Sequence, residues 1–522
     1  VKKIFKAKDD CRGMSTGEII STIFERRGIE DYPEFLHPTI DDLIPYEKLR
    51  NIENAFKIVD DGVNQEKSFL VYADVDTDGC SAGSIMYRYL RNFTDKVKIT
   101  INEGKKHGIA DYDIAECDAN IVIIVDSINE GEYYNKFIEA GKSVIVLDHH
   151  IIPDNINESI ILVSSANDYP NPQLSGAGAT WKFCKYCDEM FLTDYADNLV
   201  DLAACGIIAD MCDMSVSENR YICNLGFENL HNTGIKAVLG NYKFNSKATS
   251  FSIAPLVNAA NRLNQNGLAL KLFLSDNKDE AKKIVKSLKL LKEEQNEIVS
   301  DLMEQINKQA ETQANNKVMI FEINNESEAG VSGLMGNKLT SIYQRPVIVV
   351  GKTDDGYFGS GRGYGTEDFR QMCENCNVFA QGHENAFGVE IDNLNEFHSR
   401  IETELANYEF KVETTADVIL NAEQITNDLI DNFKTINKIS GEGFKPLTVM
   451  ITGITDYTVG NMSNFKHLKV NLGEICLIKW NFCGNWEELD GRPLTVIGEL
   501  DSGFFGRTFY KQLIINDYKV GE

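Results

Sequence analysis

The chain has 522 residues, 43% of them hydrophobic and 25% charged, a balance that suits a globular protein with more than one core. A net charge of −27 excludes a generally basic surface, so any polyanion has to be met by local clusters of Arg and Lys. No apolar run approaches the roughly 20 residues of a membrane helix, VKKIFKAKDD has no signal-peptide core, and the twelve cysteines read as reduced thiols; the expectation is a cytoplasmic protein without disulfides.

Residues 1 to 63 carry helical patterns punctuated by Pro38 and Pro45, with Ile52 to Val63 at amphipathic spacing, and predict an N-terminal helical cap. The stretch SFLVYADVDTDG follows, in which a buried-strand pattern ends in Asp74, Asp76 and Asp78 and then in Gly79 and small residues that open a helix. One Asp at that place serves as a helix N-cap. Three within five residues exceed any capping need, and carboxylates this close are unfavourable unless a cation neutralises them, which points to Mg²⁺ or Mn²⁺.

The pattern recurs. NIVIIVDS ends in Asp126 and SVIVLDHH in Asp148, His149 and His150, with helical segments between the runs, the alternation of a parallel α/β sheet over residues 64 to 235. Ligands of such sheets gather outside the carboxyl ends of the strands. DLAACGIIADMCD adds Asp210 at the end of an apolar helix, and mixed carboxylate and imidazole ligation suits Mn²⁺. Lys105, Lys106 and His107 lie in a polar loop, read as solvated or as a phosphate contact. LSGAGATW reads as a tight helix start or a backbone cradle for a phosphate. The Cys184/Cys187 and Cys373/Cys376 pairs fall in helical segments and read as structural rather than zinc-binding.

Residues 236 to 316 are expected as a linker ending in a long Glu- and Lys-rich connecting helix, which predicts a cleft between two lobes. A smaller α/β unit is predicted over 317 to 402, where KVMIFEI and PVIVVGK read as strands and the Gly-rich GSGRG and QGHENAFG as strand ends. Residues 403 to 522 alternate in short segments and predict a five-stranded barrel of the oligonucleotide-binding (OB) type, with Trp480, Phe482, Trp486, Phe504, Phe505 and Tyr510 available for stacking or core packing.

ADVDTDG, the Asp126 strand, LDHH and GIIADMCD, in this order, resemble the motifs of the DHH phosphoesterase family, and VNAANR at 257 to 262 narrows the likeness to its RecJ type of single-strand-specific 5′-to-3′ exonuclease. The resemblance implies a parallel-sheet DHH domain and a DHH-associated domain joined by the long helix, with the OB-like barrel behind them. It implies two divalent ions, Mn²⁺ or Mg²⁺, with Asp126 as the bridge, Asp74 and Asp76 serving one ion, Asp78, His149 and Asp210 the other, and His150 at the scissile phosphate or in the second site. Relatives carry a His where this chain has Tyr72, and Ala73 replaces a usual Gly, which leaves the first ion's ligand set open. Arg262, Ser360 and Arg362, with Gly382 and His383, match positions that hold the substrate's phosphates, Asn261 and Gln381 standing where Gly is usual. The implied activity is release of 5′-mononucleotides from 5′-phosphorylated single-stranded DNA, in recombination, repair or replication. The implied protein is a monomer with a single-strand-binding protein or a helicase as candidate partner. Two alternatives are a DHH phosphodiesterase acting on nanoRNA or cyclic dinucleotides and a non-catalytic replication scaffold.

Overall fold

The computed structural model describes all residues except 1, 104–106, 111, 324–329, 354–355, 463–466, 483–488, 490, 506–507 and 522, and the side chains of 461, 504, 505 and 508. The chain forms two compact units. One comprises Pro33–Glu294 with Asn437–Pro446, and the other Val1–Tyr32, Gln295–Ile436 and Leu447–Glu522. No helix among the described residues is long and apolar enough to cross a membrane.

The first unit is built on an all-parallel sheet whose strands lie in the order Val97–Ile101, Phe69–Ala73, Ile121–Val125, Ser143–Asp148, Ile161–Ser164. FLVYA and IVIIV are buried at every position, as expected where helices cover both faces and no polar alternation survives. The chain leaves Phe69–Ala73 for a neighbour on one side and then returns to Ile121–Val125 on the other. The gap outside the carboxyl ends of these two strands is therefore the topological switch point, the place where a parallel sheet opens toward a ligand. Helix Thr77–Leu90 packs so closely on the first strand that a Cβ at Gly83 would lie 2.5 Å from that of Ala73.

Residues 236–277, expected as linker, are folded into this unit. The helix Asn266–Leu274 packs on Thr77–Leu90, and Arg88 donates to the Phe273 carbonyl at 3.0 Å. The connecting helix is Lys278–Thr312, 35 residues, shared between the two units.

The second unit contains a mixed five-stranded sheet, ordered Phe379–His383, Ala386–Ile391, Tyr357–Arg362, Val347–Lys352, Met319–Ile323, with only the last pair parallel. One face packs Ile320, Val350, Phe369, Phe387 and Ile401; the other receives Leu302 and Ile306 of the long helix against Phe321, Met335 and Val349.

The expected C-terminal β-rich region is present, with different pairing. It is an eight-stranded sheet rather than five strands, and one of its edge strands is Lys2–Asp10, paired in parallel with Lys411–Ile419. The N-terminal segment expected as a purely helical cap thus opens with a strand. Its alternation in KKIFKAKDD is one of partly buried and charged residues, a pattern with little apolar signal to read. The segment is tied down by a charge: Asp417, buried in the sheet, accepts from Arg27 at 2.7 and 2.9 Å and from the Thr448 backbone N–H at 2.9 Å.

Removing one partner of a buried pair leaves the other charge uncompensated. Asp417→Ala is expected to cost about 3–5 kcal/mol, seen as a lowered denaturant midpoint, whereas Arg26→Ala, in a more exposed pair with Asp9, is expected to leave the midpoint nearly unchanged.

Candidate metal centre

The strand Phe69–Ala73 delivers Asp74, Asp76 and Asp78 to the switch point, Ile121–Val125 delivers Asp126, and Ser143–Asp148 delivers His149 and His150. Asp210 arrives as the C-terminal cap of the apolar helix Val200–Ala209. The structure therefore brings together all seven residues expected as ligands or catalytic groups. His149 Nε2 lies 3.2 Å from Asp126 Oδ1, 3.6 Å from Asp210 Oδ2 and 4.0 Å from Asp78 Oδ2. Three overlapping groups have ligand atoms within 4.8 Å of one another: Asp74, Asp76 and Asp126; Asp78, His149 and Asp210; Asp126, His149 and His150. Asp126 belongs to the first and the third.

Each carboxylate is held differently. Asp76 caps helix Thr77–Leu90, accepting from the Gly79 N–H at 2.9 Å. Asp78 accepts the backbone N–H groups of Gly176 and Ala177 at 2.7 and 3.1 Å. The turn in LSGAGATW thus spends its first amides on a protein carboxylate, with Ser175 as the helix N-cap. A Cβ at Gly176 would lie 2.5 Å from Asp126 Oδ1 and one at Gly206 2.1 Å from Asp78 Oδ1, so both glycines are needed for the carboxylates to fit. Asp126 itself has φ +57°, a left-handed conformation that costs a non-glycine residue about 1–2 kcal/mol and turns the chain sharply out of its strand.

The electrostatics follow from burial and crowding. Burial, reinforced by the charge of Asp74, pushes Asp76 up to about 6. Burial and the charges of Asp210 and Asp76 push Asp78 up to about 8, and burial with the neighbouring carboxylates raises Asp126 well above the usual range. Burial lowers His149, which keeps its imidazole neutral and able to ligate. His150 is raised to about 9 by its Nδ1 bond to the wholly buried Asp148, 2.9 Å away. Asp148, which also accepts the His150 N–H at 3.0 Å, is a positioning residue that sequence reading left out of the site.

Asp74 Oδ1, Asp126 Oδ1 and His149 Nε2 are buried without a hydrogen-bond partner. Orphaned acceptors at the centre of a carboxylate cluster are expensive unless a cation takes them up. Four segments thus provide a hard, mixed O/N donor set that fits divalent ions of the Mn²⁺ or Mg²⁺ kind.

The expected phosphate-contact residues fall in two places. Arg262 ends the helix Ala254–Arg262 of the first unit, partly buried and, among the described residues, without an ion pair. Lys292 lies near enough that the Arg262 charge adds to burial in lowering it. Lys292 was hidden in a lysine-rich helix and had no sequence signal. Ser360 and Arg362 lie in the second unit on Tyr357–Arg362, directly opposite Gly388 and Ala386, and Gly382 and His383 are on the next strand. Arg362 Nε donates to Asn337 Oδ1 at 2.8 Å and Nη1 to the Gly361 carbonyl at 2.7 Å. Ser360 Oγ meets Ser332 Oγ at 2.9 Å. A Cβ at Gly333 would lie 2.5 Å from Arg362 Nη2; Ser332 and Asn337 were not expected. Lys105 and Lys106 lie outside the described residues. All four cysteines of the two Cys-x-x-Cys pairs are buried, and no cysteine enters a metal-capable group among the described residues.

Residues 68–207 match the model of the DHH family, N-terminal domain. A putative SPbeta prophage-derived single-strand DNA-specific exonuclease YorK of Bacillus subtilis is 30% identical over 416 residues, 72% of each chain. The single-stranded-DNA-specific exonuclease RecJ of the same organism is 24% identical over 554 residues, 99% of this chain and 70% of that one. Among solved structures, RecJ in complex with Mn²⁺ from Thermus thermophilus superposes with a TM-score of 0.80 at 21% identity, covering 100% of this chain and 80% of the other.

Carboxyls whose folded pKa is raised contribute stability that is present at low pH and lost as pH rises through that value. With Asp76 near 6 and Asp78 near 8, the chelator-treated protein is expected to melt at a lower temperature at pH 8 than at pH 5.5. Saturating Mn²⁺ is expected to raise the pH 8 midpoint more than the pH 5.5 one, because protons compete with the ion. Thermal scans at the two pH values, with and without Mn²⁺, check both signs.

Proposed function

This chain belongs to the RecJ type of the DHH family of exonucleases, and from that premise we propose that it hydrolyses single-stranded DNA from the 5′ end, releasing 5′-mononucleotides with two divalent ions. The observation that carries the reading is the convergence of five carboxylates and two imidazoles at the switch point with three buried ligand atoms left unpartnered. Asp74, Asp76 and Asp126 would hold one ion and Asp78, His149 and Asp210 the other, with Asp126 as their common ligand. Such ions, when bound, supply a hydroxide nucleophile and neutralise phosphodiester oxygens.

The chain's own residues do the rest. Gly176 and Ala177 amides fix Asp78 in one orientation. The Nδ1 bond to Asp148 orients the half-exposed His150 and favours its protonated form, which would make it a charge-assisted donor for a phosphate oxygen of the scissile group. Arg262, with Lys292 beside it, offers positive charge to the backbone of the strand. Arg362, oriented through Nε by Asn337 and through Nη1 by the Gly361 carbonyl, would with Ser360 make a site for a terminal phosphate in the second unit; Gly382 and His383 border it on the sheet.

In the C-terminal sheet, Trp480 is half-exposed with the His467 ring 5.0 Å away, and Lys469 Nζ sits 5.1 Å from the centre of the Tyr510 ring. Lys469 and Asn471 are opposite Ile478 and Cys476 on the neighbouring strand, so His467, Lys469 and Trp480 share a face. Base stacking on such aromatics is sequence-tolerant. Phe482 packs near Tyr518. Trp486 and the side chains of Phe504 and Phe505 lie outside the described residues.

The test uses single strands labelled at either end, with Mn²⁺. Release of labelled mononucleotide from the 5′ label at once, and from the 3′ label only late, is expected. The reverse order would refute the polarity, and faster turnover of a dinucleotide or cyclic dinucleotide would favour a small-substrate phosphodiesterase. Asp126→Ala is expected to reduce the rate to background. Arg362→Ala is expected to lower the preference for a 5′-phosphate over a 5′-hydroxyl by roughly ten- to a hundredfold, the worth of one charge-assisted hydrogen bond of about 1.5–3 kcal/mol. Initial rates on the paired substrates measure it.

A further inference from the structure

We propose that His107 is a positioning residue of the metal centre, holding Asp74 so that its free oxygen faces the ion. This rests on the two-ion reading above. The strand position two residues before Asp74 is Tyr72, whose hydroxyl is committed elsewhere: it bonds Asn102 Oδ1 and donates to the Gly108 carbonyl at 3.1 Å. No imidazole can come from there.

One comes instead from the loop that Tyr72 pins. Asn102 Nδ2 donates to the same Gly108 carbonyl at 2.7 Å, and Asn129 Oδ1 accepts the Ile109 N–H at 3.0 Å. Asn102 is itself held through its carbonyl by Asn266 Nδ2 at 2.7 Å. Gly108 has φ +71°, and a Cβ there would meet Asn129 Nδ2 at 2.3 Å, so a side chain beside His107 would be strained and would press on Asn129. These bonds fix the loop at the residue where His107 Nδ1 reaches Asp74 Oδ2, 2.8 Å away.

Asp74 is thereby divided into two roles. Oδ2 is occupied by the imidazole, and Oδ1 is buried with no partner. A carboxylate oriented this way is held in one rotamer, and Asp74 is a member of the Asp74, Asp76 and Asp126 group, toward which the remaining Oδ1 is the oxygen left to serve. The His107 side chain is 63% exposed, so it adds nothing to core packing, and its removal opens no cavity. His107 and His150 form a matched pair: each is anchored through Nδ1 on a buried carboxylate, Asp74 and Asp148 respectively.

The test is Mn²⁺ binding, followed by calorimetry and by the electron paramagnetic resonance signal of free Mn²⁺, on wild type, His107→Ala, His107→Asn and Asp126→Ala. Loss of an outer partner of a metal ligand lowers affinity roughly 10- to 100-fold. His107→Ala is expected to lose that much for one ion and leave the other unchanged. His107→Asn, whose amide can still donate to Oδ2, is expected to recover part of the loss. Unchanged affinities in His107→Ala, or an Asn variant as weak as the Ala variant, would overturn the proposal. The two-ion reading is judged separately by Asp126→Ala. If that variant keeps an ion while His107→Ala loses one, the shared bridge is wrong and the role of His107 stands.

Discussion

Mutual repulsion among buried carboxylates is the constraint around which the first unit is arranged. Asp74, Asp78 and Asp126 are almost wholly buried and Asp76 is close beside them, an assembly that no apolar environment tolerates in charged form. The fold meets the repulsion with oriented dipoles before any cation arrives. Two helices, Thr77–Leu90 and Gly176–Phe191, begin at the cluster; the first amides of one bond Asp78, and the capping bond of the other bonds Asp76. The positive ends of both helices therefore bear on the same cluster, one at Asp78 and the other at Asp76. Gly176 and Gly206 are the steric counterpart of this electrostatic device, because a methyl group at either would displace a ligand.

The loops that complete the centre are fixed by polar bonds in the interior. Asn219 donates through Nδ2 to the carbonyls of Gln173 and Asp213, both at 2.9 Å. It joins the approach to the Gly176 turn to the segment that follows Asp210. Its neighbour Glu218 receives Lys182, Tyr169 and Asn171, and the Lys182–Glu218 pair is almost completely removed from water. Arg220 donates to the carbonyls of Met214 and Ser215. A buried network of this kind costs desolvation and is tolerated when every member is satisfied. What it provides here is the geometry of Asp210, which has no strand of its own to fix it.

The sequence carried the catalytic unit because its signals are local. Apolar runs ending in Asp74, Asp126 and the Asp148 triplet are each legible within a dozen residues, and the parallel topology follows from their alternation with helices. Contacts distant along the chain were not legible. Lys2–Asp10 pairs with Lys411–Ile419, and nothing in either segment states a preference for the other. His107 reads as one of three basic residues in a solvated loop; only the tertiary approach of that loop to Asp74 gives it a role. Ser332 and Lys292 were invisible for the same reason, since a serine at a helix start and a lysine in a lysine-rich helix are common. Asp148 is a different case: it was seen in the motif and left out of the ligand set, but the bond of its wholly buried carboxylate to His150 had no sequence signal.

The charge of −27 then becomes compatible with a polyanionic substrate. A general positive field would draw in duplex and single strand alike, because its attraction depends on phosphate density. The cations proposed above to meet phosphate would act at short range instead. Arg362 is held by the Asn337 side chain and the Gly361 carbonyl, Arg262 is partly buried, and His150 is oriented by Asp148. Arg362 and His150 are oriented by their bonds, and Arg262 is partly desolvated, before a phosphate reaches them, so less is lost on binding. An acidic exterior lowers the attraction for any strand that does not reach these groups. On the proposed reading, selectivity would rest on whether a phosphate can be brought within hydrogen-bonding distance of fixed donors, a condition that a flexible single strand meets more readily than a stiff duplex.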